Sequence, residues 1–153
     1  MRKVLDFNSP TEQYVADAAV LCCFDARLRG VVSKFLEREG ILRPDMIVVA
    51  GGARTLASPR NPFEQEFILE QFRMSIRLHQ TRRAVLMSHS DCATYGGLAA
   101  FGGDPVLEQG RHKIDLGRAA ELLESRFPGL SVECYFVTFD GILTLKPLTI
   151  AAD

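Results

Sequence analysis

The chain has 153 residues, 47% of them hydrophobic and 24% charged, with 18 lysines and arginines against 19 aspartates and glutamates. That length and balance suit one globular domain with a real core, and a net charge of −1 gives no electrostatic case for nucleic acid or an anionic membrane as partner. No apolar run approaches the roughly 18 residues that span a bilayer, and the basic start Met1-Arg2-Lys3 meets Asp6 before a signal-peptide core can form, so a cytoplasmic protein is expected.

Ala18 to Phe24 is a continuous apolar run, as a strand covered on both faces requires. Val31 to Glu39 reads as a helix, stopped by Gly40 with Pro44 soon after. Met46-Ile47-Val48-Val49-Ala50 is a second strand running into Gly51-Gly52. Asn61 before Pro62 fits a helix cap followed by a first-turn proline, and Phe63, Phe67, Ile68, Phe72, Ile76 and Leu78 then trace a helical stripe. Ala84 to His89 is the third strand.

Gly96-Gly97 and Gly102-Gly103-Asp104-Pro105 break up the next stretch, and a helix is expected from Asp115 to Arg126, ended by Phe127-Pro128-Gly129. Val132 to Phe139 reads as a fourth strand. Asp140-Gly141 is a hairpin turn signal, so Ile142 to Leu145 should pair antiparallel with that strand. Alternating strands and helices predict a three-layer α/β sandwich, with a mostly parallel sheet of order 2-1-3-4 plus an antiparallel fifth strand, as one domain over 1–153.

Four cysteines in a chain of this length do not suggest a disulfide framework. Cys22 should face away from Cys23, because strand side chains alternate, and Cys22 and Cys134 read as buried packing residues. Cys23 and His89 each close a predicted parallel strand, and Cys92 follows three residues after His89. Ligands collect where parallel strands end, so two distant clusters, Cys23-Phe24-Asp25-Ala26-Arg27 and His89-Ser90-Asp91-Cys92, become candidates for one site. Two thiolates, an imidazole and a carboxylate are enough to fill a tetrahedral zinc site.

These two motifs resemble those of the β-class carbonic anhydrases, Cys-x-Asp-x-Arg followed by His-x-x-Cys. The likeness runs from about Val20 to the Asp140-Gly141 hairpin and includes the Ala50-Gly51-Gly52 turn. The resemblance implies Zn2+ held by Cys23, His89 and Cys92. It makes Asp25 and Arg27 the catalytic pair: Asp25 either takes the fourth metal position or swings to Arg27 and admits water. It implies a lyase that hydrates carbon dioxide reversibly to bicarbonate by attack of zinc-bound hydroxide, and a homodimer or higher homo-oligomer. The chain departs from the family pattern in carrying Val48-Val49 where Arg-Asn is common and Ala93 where glycine usually follows the second cysteine.

Three other readings compete. A zinc domain closed permanently by Asp25 would be regulatory or structural. The same ligands serve relatives that hydrolyse carbonyl sulfide or carbon disulfide. Cys23 and Arg29 also have the Cys-(x)5-Arg spacing of thiol phosphatases, but Asp25 inside that loop would repel phosphate, and the loop lacks the glycines of an anion nest. Outside the motifs, Gly51 to Arg54 reads either as an anion-binding turn or as a tight connection, and Ser90 and Asp91 as outer hydrogen-bonding groups or solvated ones. Thr94 and Tyr95 are read as pocket-bordering or packing residues. His79 is read as a solvent-facing or helix-capping residue, His112 as a surface residue in preference to a proton shuttle or helix-start histidine, and Arg82 and Arg83 as solvated charges.

Overall fold

The structure, a computed structural model, describes residues 1–145. The five strands are β1 (Ala18–Cys23), β2 (Pro44–Val49), β3 (Arg83–His89), β4 (Ser131–Val137) and β5 (Ile142–Leu145). They form one sheet of order β2-β1-β3-β4-β5, parallel except for the β4–β5 pair. This is the expected order.

Helices α1 (Arg29–Arg38), α2 (Arg54–Ala57), α3 (Pro62–His79) and α4 (Pro105–Arg126) connect the strands. Alternation along the buried strands divides the core in two. Ala19, Leu21, Ala84 and Leu86 pack with Leu56, Ile68, Leu69, Phe72, Leu116 and Leu123 from α2, α3 and α4. Ala18, Val20, Cys22, Val85 and Met87 pack with Leu28, Val32 and Leu36 on the α1 side. Each fully buried aliphatic side chain contributes about 1.5–3 kcal/mol of transfer free energy, and both faces are needed to hold a parallel sheet. Met46 and Val48 of the edge strand β2 remain half exposed in an apolar groove of about 730 Å³ between β2 and α1, which reaches Cys23 and Asp25. No helix of the described residues is long and apolar enough to cross a membrane.

The α3 start is as the sequence predicts: the Asn61 side chain accepts from the Glu64 N–H at 3.0 Å, and Pro62 fills the first helical position. The last helix differs from expectation. It begins at Pro105, ten residues before Asp115, with Asp104 accepting from the N–H groups of Val106 and Leu107. Asp104-Pro105 is a cap-and-proline signal of the same kind as Asn61-Pro62. The internal glycines Gly110 and Gly117 and the polar residues of its first three turns mask it.

Candidate metal centre

The carboxyl ends of β1, β2 and β3 lie side by side, which brings Cys23, the last residue of β1, to His89, the last residue of β3. Beyond His89 the chain reverses through Asp91, whose φ of 53° is left-handed, a conformation that aspartate tolerates better than most residues. The reversal returns Cys92 to the same place. The Cys23 Sγ, the Cys92 Sγ and a His89 ring nitrogen all lie within 4.8 Å of one another.

Gly52 makes the packing of β2's end possible. Its φ is +52°, and a Cβ there would stand 2.6 Å from the Met87 carbonyl oxygen and 2.9 Å from the Cys23 nitrogen. Only glycine fits so close to two backbone groups. The preceding residue, Gly51, donates its N–H to the Cys23 Sγ at 3.4 Å. The Gly51–Arg54 segment is therefore a tight connection whose free amide serves a thiol rather than an anion.

The donor set fits a metal. His89 Nδ1 lies 2.8 Å from the Ser90 carbonyl, which fixes the tautomer with Nδ1 as donor. Its Nε2 is buried and has no hydrogen-bond partner, a costly state for a polar atom unless a ligand completes it. The Thr94 hydroxyl sits 3.1 Å from the Cys92 Sγ. Interaction with Cys23 brings the Cys92 thiol down to about 6, and the same interaction, with burial second, pushes Cys23 up to about 12. The two thiols are thus pushed in opposite directions, the first proton made easier to lose and the second harder, as expected of two acids sharing one site. A divalent cation between them would displace the second.

Asp25 stands outside that donor cluster. Its carboxylate accepts from Arg27 Nε at 3.0 and 3.1 Å, from Nη2 at 2.6 Å and from the Arg27 backbone N–H at 3.0 Å. These bonds hold its pKa down to about 2, the side-chain bonds contributing most. Asp25 nevertheless lines the same cavity as the cluster, about 340 Å³, together with Phe24, Ala26, Ala93 and Thr94. Arg29, the arginine of the phosphatase-like spacing, opens α1 and has no ion-pair partner among the described residues.

Several residues depart from the sequence reading. His112 is not at the surface: it is fully buried in α4, its ring 4.1 Å from Tyr95 and 5.0 Å from Phe136, with neither ring nitrogen paired. The Tyr95 hydroxyl donates to Asp115 at 2.9 Å. His79 is not free in solvent; its Nδ1 lies 2.9 Å from Asp45, which also accepts from Tyr14 and Ser75. Arg83 pairs with Glu133 at 2.6 Å across β3 and β4. Cys22 and Cys134 are buried packing residues as expected. Glu108, fully buried on α4, accepts the Asp91 N–H at 2.7 Å. Only the capping signal of Asp104-Pro105, which places Glu108 one turn into a helix, could have marked it in advance.

Fold and site together define an α/β protein with a candidate Cys-His-Cys metal centre at the carboxyl edge of a parallel sheet. The family model described as "Putative carbonic anhydrase" matches residues 14–144, and the chain belongs to that family, as a divergent member. An uncharacterized protein of Rickettsia conorii is 22% identical over 134 residues, covering 84% of this chain and 70% of its own. Among solved structures, tetrameric β-carbonic anhydrases of the filamentous ascomycete Sordaria macrospora match with a TM-score of 0.57 at 15% identity, over 88% of this chain and 82% of theirs. The apo form of a carbon disulfide hydrolase matches with a TM-score of 0.50 at 14% identity, over 90% and 82%. At such identities the likeness is one of fold.

Proposed function

We propose that the protein holds zinc through Cys23, His89 and Cys92 and reversibly hydrates carbon dioxide to bicarbonate. The observation that carries this reading is the orphaned His89 Nε2 beside two thiols, with Asp25 gripped by Arg27 at the edge of the same cavity. Two cysteines and a histidine are a donor set that zinc favours, and three protein ligands leave one position open. When bound, zinc would supply Lewis acidity that makes water a nucleophile, less strongly beside two thiolates than beside three histidines, so that activity favours alkaline pH.

The chain's own residues do the rest. Arg27 keeps Asp25 ionised and off the donor cluster. A carboxylate held at about 2 is a poor proton store at neutral pH, so Asp25 acts as a fixed acceptor that orients a water hydrogen and leaves the oxygen lone pair aimed at the substrate. Phe24, Ala26 and Ala93 give the cavity apolar walls suited to a small uncharged molecule and poor at retaining a charged product. If Asp25 were to leave Arg27 for the fourth metal position, the site would be shut. We further read the chain as a single cytoplasmic domain acting as a homodimer or higher homo-oligomer. The exposed edge of β2 and the apolar groove beside it support that reading, as does the tetrameric state of the Sordaria enzymes.

Zinc analysis followed by stopped-flow carbon dioxide hydration at about pH 7 and about pH 9 tests the proposal. The expected result is about one zinc per chain and hydration that rises with pH. Full zinc occupancy without hydration at either pH would refute the lyase. Carbonyl sulfide and carbon disulfide would then be assayed, since a carbon disulfide hydrolase shares this fold.

A further inference from the structure

Arg27 is held by more than Asp25. Its Nη1 donates to Asp91 Oδ2 at 3.0 Å, its Nη2 to the Asp91 carbonyl at 3.1 Å, and its guanidinium lies 5.0 Å from the centre of the Phe139 ring. The guanidinium is thus clamped between two carboxylates and against an aromatic face. Asp91 is itself held from two sides. Its Oδ1 accepts the Leu98 N–H at 3.0 Å, and its own N–H goes to the buried Glu108 carboxylate at 2.7 Å. Gly97 leaves room for that carboxylate, because a Cβ there would stand 2.9 Å from Oδ1. An aspartate fixed at both ends is a different object from a mobile surface partner, whose ion pair would be worth little.

We infer that Asp91 is a positioning residue for the metal site: it anchors Arg27, and the anchored Arg27 keeps Asp25 away from the metal donors. The inference rests on the metal-site reading above. Its physical content is a difference in what Asp25 must give up. A free arginine side chain is long enough to travel with Asp25 and keep part of the bidentate contact. An arginine held by Asp91 and Phe139 stays behind, so Asp25 reaches the fourth metal position only by breaking its charge-assisted bonds. Asp91 sits in the loop between His89 and Cys92, so the same turn that brings two donors together also sets the state of the gate.

The test uses Asp91→Asn, which preserves the left-handed turn and the Oδ1 acceptor for Leu98 but removes the charge facing Arg27. In cobalt-loaded protein, thiocyanate titration followed by the cobalt absorption reads how open the metal position is. Affinity is expected to fall by about tenfold in Asp91→Asn, the worth of one charge-assisted hydrogen bond, and to fall less in Phe139→Ala. The double variant Asp25→Asn/Asp91→Asn should recover the affinity of Asp25→Asn alone, which a merely structural role of Asp91 would not produce. Unchanged affinity in Asp91→Asn, or no recovery in the double variant, overturns the inference. A second readout needs no metal. By nitrogen-15 relaxation of the metal-free protein, the Arg27 Nε–H group should stay restrained in Asp25→Asn and become mobile in Asp25→Asn/Asp91→Asn; equal mobility overturns the anchor. Should wild-type protein take up no cobalt, the metal-site reading fails and the relaxation comparison alone decides the anchor.

Discussion

Replacing His112 by leucine should change how the stability of this protein depends on pH. The imidazole is fully buried with both nitrogens unpaired. Burial, with the neighbouring His89 second, holds its pKa down to about 4, whereas in an unfolded chain it titrates near 6.5. Between those values the unfolded state binds a proton that the folded state refuses, so wild-type stability rises with pH across the window and is lost as pH falls through it. A gap of about 2.5 units at about 1.4 kcal/mol each gives about 3 kcal/mol between pH 7 and pH 4. Leucine carries no proton in either state. Near pH 7 the variant should already match or exceed wild type by about 1 kcal/mol, because two unsatisfied polar atoms leave the core.

Urea unfolding of both proteins at several pH values between about 7 and 4 measures the difference directly, and the carboxylates common to both chains cancel in it. The variant's advantage should grow by about 3 kcal/mol as pH falls. A difference independent of pH, or one that shrinks on acidification, would show His112 to be charged or hydrogen-bonded in the folded state and would refute the reasoning.

Three further outcomes follow from the geometry. Gly52→Ala, which forces a Cβ to within 2.6 Å of the Met87 carbonyl, should cost about 3 kcal/mol or more by denaturant unfolding and lower zinc uptake by displacing Cys23. Asn61→Ala removes the α3 cap and should cost about 1 kcal/mol while zinc content and hydration stay at wild-type levels. Cys92→Ala should abolish stoichiometric zinc binding in metal analysis, whereas Cys134→Ala, at a packing position, should retain the metal and lose only stability, about 1 kcal/mol for the small cavity.

The sheet was legible in the chain because buried parallel strands read as short apolar runs, and Ala18–Cys23 and Arg83–His89 are of that kind; Ser131–Val137, with Glu133 inside it, is only half buried and was marked by its β-branched and aromatic residues. The donors of the candidate centre were legible too. Cys23, His89 and Cys92 stand at or just beyond strand ends, and the topology of parallel strands brings such ends to one edge. Local sequence also set the α3 cap and the antiparallel β4–β5 hairpin, although β4 stops at Val137 and the loop spans residues 138–141, closed by Thr138 on Gly141, in place of the expected two-residue Asp140-Gly141 turn.

What lay beyond the sequence depends on which surfaces meet. The burial of His112 follows from α4 settling over β4, so that Tyr95 and Phe136 close on its ring; nothing in Arg111-His112-Lys113 announces it. The pairing of Arg83 with Glu133 needs the β3–β4 register. The three-way hold on Arg27 by Asp25, Asp91 and Phe139 draws on residues as far as 112 positions apart (27 to 139). The chain by itself determined the strands, the α3 cap and the residue types of a candidate metal site, because these rest on periodicity and near neighbours. Tertiary structure alone decided which polar groups are satisfied and which are left orphaned, because a hydrogen-bond partner is a matter of distance in space.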